Sequence, residues 1–200
     1  MNATREAYGK QQLTWVDRFG VYLSLRAVRK YFPRKKFSLL DIGCGFNASL
    51  LQNAEPLLTE GLGIDFEIDK DLSQKNNLTF IEANASDALQ HCQLAFDRIT
   101  CLSMLEHVFN PEIILKECYR LLHPKGKLLL NVPTWRGKFF LEFSAFKLGL
   151  SPKTEMDDHK MYYNKKDLWP LLVKAGFKPS NIKLTYHKFG LNLFAVITKE

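Results

Sequence analysis

The chain reads Leu-Leu-Asp-Ile-Gly-Cys-Gly-Phe-Asn at residues 39–47. A short apolar run that ends in two closely spaced glycines is typical of a buried strand followed by a tight turn into a helix. In a parallel sheet this turn lies at the carboxyl edge, where a backbone without Cβ atoms approaches a ligand closely. Gly43 and Gly45 are therefore predicted to bind a nucleotide-like cofactor.

A second cofactor signal is Gly-Leu-Gly-Ile-Asp at residues 61–65. This segment predicts the next strand, and it ends in a carboxylate that can accept hydrogen bonds from both hydroxyl groups of a ribose. Asp65 is therefore a candidate ribose ligand. Phe66 follows it directly, and its ring is predicted either to stack on an adenine or to pack in the core.

The carboxylate of Asp41 distinguishes between two kinds of cofactor. A negative charge just before the glycine turn would repel a pyrophosphate, whereas the sulfonium and α-amino groups of S-adenosylmethionine would favour it. Asp41 thus favours S-adenosylmethionine over a nicotinamide dinucleotide, and a nicotinamide oxidoreductase becomes the weaker alternative.

Beyond residue 36 the pattern alternates short apolar runs with helical segments, which predicts an α/β fold with a mostly parallel sheet and helices on both faces. The predicted parallel strands are residues 37–42, 62–65, 78–81, 96–102 and 127–132. Residues 165–175 are predicted to form the last helix. A terminal antiparallel hairpin is predicted at residues 182–186 and 193–197, around Gly190.

Two segments stand apart from this alternation. Residues 1–36 are predicted to form an N-terminal helical lid segment, with an apolar stripe at helical spacing: Val16, Phe19, Leu23, Ala27 and Tyr31. Residues 134–160 crowd phenylalanines among cations and are predicted to form a cap inserted into the domain of residues 37–200. Such an aromatic stripe is usually core, but one flanked by cations also suits contact with an anionic membrane.

Composition excludes several classes of protein. The chain has 200 residues and 46% hydrophobic residues, which fits one folded domain. Its four cysteines show no metal-ligand spacing and indicate free thiols. The absence of a long apolar stretch or signal peptide predicts a cytoplasmic protein. The formal charge of +7 admits an anionic partner, but no RNA-binding motif accompanies it, so nucleic acid is a disfavoured partner.

The chain resembles the class I S-adenosylmethionine-dependent methyltransferases from about Phe37 to Lys199, because five motifs of that family occur in order. They correspond to residues 40–45, 63–65, 80–85, 96–108 and 121–128. The resemblance implies a Rossmann-like fold with a seven-stranded sheet. It also implies that Asn84 holds the adenine amino group, that the Ala85 amide meets the ring, and that Leu102 contributes to the cofactor site. Asn47 replaces the usual third glycine and is predicted to cap the next helix.

The fourth motif is similar to that of enzymes that O-methylate ubiquinone precursors and other small-molecule or glycan hydroxyls. In this resemblance Glu106 and His107 lie at the acceptor side, and His107 is the predicted general base, with His159 as the reserve. Either histidine can instead be structural, His107 by bonding the nearby backbone and His159 as a helix-start residue. Some members bind a metal with Glu-x-x-Glu-His, but Ser103 stands at the first Glu position, so no metal is predicted.

These observations predict an enzyme that transfers the methyl group of S-adenosylmethionine to an oxygen of a small or lipid-linked metabolite. An RNA or protein methyltransferase is an alternative that the net charge favours. The chain lacks the Asn/Asp-Pro-Pro-aromatic tetrapeptide common in enzymes of this fold that methylate amino groups. A non-catalytic S-adenosylmethionine-binding module is the third possibility. Neither the acceptor nor the oligomeric state follows from the sequence.

Overall fold

The computed structural model describes residues 9–10, 15–74, 77–139 and 159–200. Its strands are β1 (Phe37–Ile42), β2 (Leu58–Asp65), β3 (Leu78–Glu82), β4 (Phe96–Leu102), β5 (Leu122–Pro133), β6 (Ile182–His187) and β7 (Asn192–Thr198). They form one seven-stranded sheet in the order β3-β2-β1-β4-β5-β7-β6. The first five strands are parallel, and β7 is antiparallel to both β5 and β6. The predicted fold class is thereby confirmed.

Helices cover both faces of this sheet. They are α1 (Trp15–Arg29), α2 (Ser49–Ala54), α3 (Ala85–His91), α4 (Pro111–Leu121) and α5 (Lys165–Lys174), and residues 135–139 are also helical. One core cluster joins α3, α4 and α5 to one face, and a second joins α1 and α2 to the other. All six residues of β1 are buried, as expected for a parallel strand with a core on each side.

The strand order places a crevice beside β1. Successive strands run outward from β1 through β2 to β3, and the chain then returns to place β4 on the other side of β1. Ligands of open α/β sheets bind at such a reversal, outside the carboxyl ends of the strands. Here those ends are Ile42 of β1 and Leu102 of β4.

Two local predictions need correction. The predicted apolar stripe is wrong at Phe19, which is exposed, whereas Ala27 and Tyr31 do pack against the second core cluster. Ser24 and Val28 are buried positions of α1. The partner surface, which holds Phe37 and Phe194, decides the orientation of α1, and helical spacing alone does not contain that information. Asn47 does not cap α2, because its amide donates to the Gly9 carbonyl and the N-cap position is Ala48.

The predicted cap falls mostly outside the described residues, which include only positions 134–139 and 159–160 of it. Within the ranges that the structure describes, no helix has the length and apolarity needed to cross a membrane.

Candidate active site

The turn after β1 has the backbone conformation that its glycines predict. Gly43 and Gly45 have φ angles of +73° and +74°, which residues with a Cβ rarely adopt. The amides of Gly43 and Cys44 donate to the Ile64 carbonyl at the end of β2, over 2.8 and 3.2 Å. A Cβ on Gly43 would lie 2.7 Å from Cβ of Met104, in the loop after β4. The loops after β1 and β4 therefore meet, and only a glycine fits between them.

Asp65 holds the same turn from the neighbouring strand. Its Oδ2 accepts a hydrogen bond from the Gly45 amide at 2.8 Å, and its Oδ1 accepts one from the Phe66 amide at 2.8 Å. Both oxygens of the carboxylate therefore lie at the glycine turn, at the carboxyl edge where ligands of such sheets bind. The side chain of Phe66 is exposed, which places its ring at the surface of the crevice and not in the core.

Asp41 is buried in β1, where Thr100 of β4 donates a hydrogen bond to it over 2.7 Å. Burial raises the pKa of Asp41 from 3.8 to about 7; the Thr100 hydrogen bond opposes this rise and the nearby Asp65 charge adds to it. A positive charge nearby would favour the ionised form of such a carboxyl group. A cofactor with a sulfonium and an α-amino group thus fits this buried acid and the glycine turn beside it.

The predicted adenine contacts lie at the start of α3. Asn84 is the N-cap of this helix, and its Oδ1 accepts a hydrogen bond from the Ser86 amide at 2.9 Å. Ala85 is the first helical residue. Asn84 therefore has a structural role in the protein, and its contact with adenine stays a prediction.

Three predicted residues come together beyond β4. Glu106 and His107 belong to a short 3-10 helix, Leu105–His107, and Glu106 is buried. The Glu106 carbonyl accepts hydrogen bonds from the amides of Lys160 and Met161, over 2.7 and 3.3 Å. These bonds draw the segment before α5 over the end of β4, and the rings of His107 and His159 lie 4.7 Å apart.

The position of His159 is fixed by a second interaction. Its Nδ1 lies 3.0 Å from the hydroxyl of Tyr162, which is buried against the helical residues 135–139 through Trp135. One nitrogen of His159 is thus occupied, which fixes the direction of the other. Two imidazoles at the carboxyl edge supply groups able to take a proton from a hydroxyl.

The same cluster has the composition of a metal site. One ligand atom each from Glu106, His107 and His159 lie within 4.8 Å of one another. The fourth motif by itself supplies only Glu106 and His107, because Ser103 stands at the remaining position. The fold supplies His159 as the third, so the residues are sufficient in number and type to hold a divalent ion.

Sequence reasoning missed several residues of this edge. Thr100 faces Asp41 across the β1–β4 pairing, and the parallel register could have revealed it. Asn131 is fully buried in β5, and a polar side chain within an apolar strand was a usable signal. Its Nδ2 donates to Ser103 Oγ over 3.2 Å. Lys188, in the β6–β7 turn, lies close enough to the buried Glu106 to interact with its charge, and no sequence pattern indicated that.

Comparison with known proteins yields consistent similarities. A family model described as "Methyltransferase domain" matches residues 15–182. A ubiquinone biosynthesis O-methyltransferase of Pseudomonas savastanoi pv. phaseolicola is 28% identical over 161 residues, which cover 74% of this chain and 68% of that protein.

Solved structures share the fold. A SAM-dependent methyltransferase from Archaeoglobus fulgidus matches with a TM-score of 0.68 and 16% identity, over 91% of this chain and 94% of that one. The magnesium protoporphyrin IX methyltransferase from Synechocystis PCC 6803, solved with bound SAH, matches with a TM-score of 0.64 and 18% identity, over 96% and 91% of the two chains.

Proposed function

The chain belongs to the methyltransferase-domain family and is an S-adenosylmethionine-dependent methyltransferase, and we propose that it methylates an oxygen of a small or lipid-linked metabolite. The observation that carries the proposal is the convergence of His107 and His159 at the carboxyl end of β4, next to the cofactor loop. A hydroxyl is a poor nucleophile until it loses its proton, so an oxygen acceptor needs a base at this position.

The roles of the cofactor and of the protein residues follow from the chemistry of methyl transfer. The cofactor, when bound, supplies an electrophilic methyl group. The glycine turn and Asp65 hold the cofactor, and the edge beyond β4 holds the acceptor in line with its methyl group. This alignment of the two reactants supplies most of the rate acceleration. His107 takes the hydroxyl proton. Glu106, through its backbone carbonyl, holds the segment that carries His159 at the acceptor side of the site. His159, fixed by Tyr162, is the reserve base.

Exposed aromatic residues support an acceptor that is apolar or lipid-linked. Trp15, Phe19 and Phe189 are all more than half exposed, and so is Phe139 in the helical segment after β5. The β6–β7 turn that carries Phe189 lies against both α1 and this segment, since Gly20 faces Lys188 and Gly190 faces Arg136. We propose that this aromatic rim, defined as Trp15, Phe19, Phe139 and Phe189, contacts an anionic membrane or the apolar chain of the acceptor.

The experiment offers the protein S-adenosylmethionine with hydroxylated aromatics, with and without an isoprenoid chain, and identifies products by mass spectrometry. Methylation on oxygen, lost in His107→Ala, supports the proposal. If RNA or protein is methylated in parallel reactions and none of the small acceptors is, the chain is an RNA or protein methyltransferase instead. Binding of S-adenosylhomocysteine with no transfer to any acceptor would indicate a non-catalytic module.

A further inference from the structure

The turn between β6 and β7 places a lysine in an unusual backbone conformation. Lys188, Phe189 and Gly190 have φ angles of +48°, +59° and +84°, three left-handed residues in succession. Such a conformation is unfavourable for residues with a Cβ and persists only where surrounding contacts hold it. The holding contacts come from Thr134, whose Oγ1 donates to the Gly190 carbonyl over 2.8 Å and whose amide donates to the Leu191 carbonyl over 2.9 Å.

This conformation directs the Lys188 side chain beneath α1. A Cβ atom on Gly20 of α1 would lie 3.6 Å from Lys188 Nζ. The ammonium group therefore lies against the backbone of this helix. The buried carboxylate of Glu106 is near enough for its charge to act on Lys188. The ammonium therefore lies beneath α1, within range of the charge of Glu106.

Two further polar atoms on this side of the sheet lack partners. Asn131 Oδ1 and His187 Nε2 are buried, and neither has a hydrogen-bond partner in the described part of the chain. They share one face, because Asn131 pairs with Phe194 across β5 and β7, and the Phe194 and His187 rings lie 5.9 Å apart. Buried polar atoms without partners are rare in folded proteins and are commonly satisfied by a ligand or water.

The charge state of Lys188 suits an anion. Burial lowers the pKa of Lys188 to about 8, and the Glu106 carboxylate opposes this shift. At pH 7 the side chain is still mostly a cation, one that has lost part of its hydration. A cation of this kind gains more from an anionic oxygen than a fully hydrated surface lysine does.

We propose that Lys188 binds an anionic oxygen of the methyl acceptor, a carboxylate or phosphate, in a pocket beneath α1 that Asn131 and His187 complete. The enzyme would accordingly prefer hydroxylated acceptors that carry an acidic substituent. This inference rests on the proposed function, because it assigns the substrate class of the same site. Lys188 is a specificity residue here and takes no proton from the acceptor.

The test measures binding without turnover. Protein saturated with S-adenosylhomocysteine is titrated by calorimetry with 3,4-dihydroxybenzoate, with phenyl phosphate and with the neutral 3,4-dihydroxybenzamide. The first two probes distinguish a carboxylate site from a phosphate site. We expect at least one anion to bind tenfold or more tightly than the amide, and Lys188→Met to remove this preference while the affinity for S-adenosylhomocysteine is unchanged.

Two variants serve as controls. Lys188→Arg keeps a cation on the same left-handed backbone and should retain the preference, whereas Lys183→Met removes an exposed lysine of β6 and should leave it intact. Equal binding of anions and amide by the wild type, failure of both anions to bind, or a preference that survives Lys188→Met would each overturn the proposal. The outcome is separable from that of O-methylation, because a preference for anions without any methyl transfer would contradict the proposed function alone.

Discussion

The carboxylate of Asp65 accepts a hydrogen bond from the backbone amide of Gly45, with 2.8 Å between Oδ2 and the nitrogen. This bond joins the acid at the end of β2 to the glycine turn after β1. The two motifs that predicted a cofactor from the sequence are thus a single structural unit. Asp65 shapes the turn before any cofactor binds, and we propose that the same carboxylate also accepts hydrogen bonds from the ribose.

Replacement of Asp65 should therefore weaken cofactor binding through both roles. We expect Asp65→Ala to lose roughly 1 to 3 kcal/mol of binding free energy for S-adenosylhomocysteine, since a charge-assisted hydrogen bond is removed. Isothermal calorimetry measures the loss directly. Asp65→Asn retains an acceptor oxygen for one amide and should lose less. An affinity unchanged in both variants would contradict the ribose assignment.

Gly43 should not tolerate a methyl group. Alanine at this position combines the unfavourable φ of +73° with a Cβ placed 2.7 Å from Cβ of Met104. We expect Gly43→Ala to lower the free energy of unfolding by roughly 2 kcal/mol or more and to weaken S-adenosylhomocysteine binding. Denaturant unfolding followed by circular dichroism measures the first effect.

The matched control for that variant is Gly20→Ala in α1. Gly20 lies within a helix, and a Cβ there has ordinary contacts, the nearest 3.6 Å away. Alanine favours a helix over glycine by about 1 kcal/mol, so this variant should be as stable as the wild type or more so. Equal destabilisation by both substitutions would refute the steric explanation for Gly43.

The raised pKa of Asp41 makes stability depend on pH. This carboxyl group has a pKa of about 7 in the folded protein against 3.8 as its ordinary value, so the folded state holds the proton more tightly between these values. The ligand-free protein should consequently lose stability as pH rises from 4 to 7, by about 1.4 kcal/mol for each pKa unit of difference at most. Asp41→Asn should remove this loss. Thermal unfolding at pH 4.5 and pH 8 measures it: the Tm of the variant relative to that of the wild type should be higher at pH 8 than at pH 4.5.

Cofactor binding should show the opposite dependence on pH. The sulfonium and ammonium groups of S-adenosylmethionine favour ionised Asp41, so binding below pH 7 must first release its proton. We expect the affinity to rise between pH 6 and pH 7, at most about tenfold, and then to level off. Asp41→Asn should bind more weakly and show a flat profile. An unchanged pH dependence in this variant would show that another group is responsible.

The elements that sequence predicted well are those with a local cause. The runs that became β1, β3 and β4 are short segments rich in apolar residues, bounded by glycine, polar or turn residues, and Gly190 marks the terminal hairpin. The glycine turn and Asp65 were also predictable, because backbone conformation and strand position constrain them locally.

The remaining features depend on contacts distant in sequence. His159 approaches His107 only because the amides of Lys160 and Met161 bond to the Glu106 carbonyl, and these residues are more than fifty positions apart in the chain. Lys188 lies beneath α1 because of a left-handed turn that no propensity predicts. The stripe predicted for α1 was wrong at Phe19 for the same reason, since the surface that α1 covers comes largely from β1 and β7.

His107 should control turnover and not cofactor affinity. We expect His107→Ala to reduce kcat about a hundredfold or more, because a general base commonly contributes that much, while binding of S-adenosylhomocysteine is unchanged. The control is His123→Ala, an exposed histidine at the start of β5. Full activity in His107→Ala would exclude it as the base, and His159→Ala would then be the variant to measure.

A chelator distinguishes the base from a metal ligand in the same cluster. If His107 acts as the base, treatment with EDTA should leave turnover unchanged. Activity that is lost with EDTA and restored by a divalent ion would instead make Glu106, His107 and His159 a ligand set, consistent with their separation of at most 4.8 Å.

The aromatic rim should bind anionic membranes if the acceptor is lipid-linked. Phe139 and Phe189 are 71% and 86% exposed, so their replacement by serine removes apolar contact area without opening the core. We expect the wild type to float with phosphatidylglycerol vesicles at low salt and less at physiological salt, because the protein carries a charge of +7. The double variant Phe139→Ser, Phe189→Ser should float less in both conditions. The control is Leu94→Ser, which should float like the wild type, because Leu94 is an exposed apolar residue near β2 and β3, far from β6 in the strand order. Absence of the wild type from the vesicle fraction at every salt concentration would exclude membrane binding. The aromatic rim would then contact only a soluble acceptor. In that case the double variant should bind the acceptor more weakly, with its affinity for the cofactor unchanged.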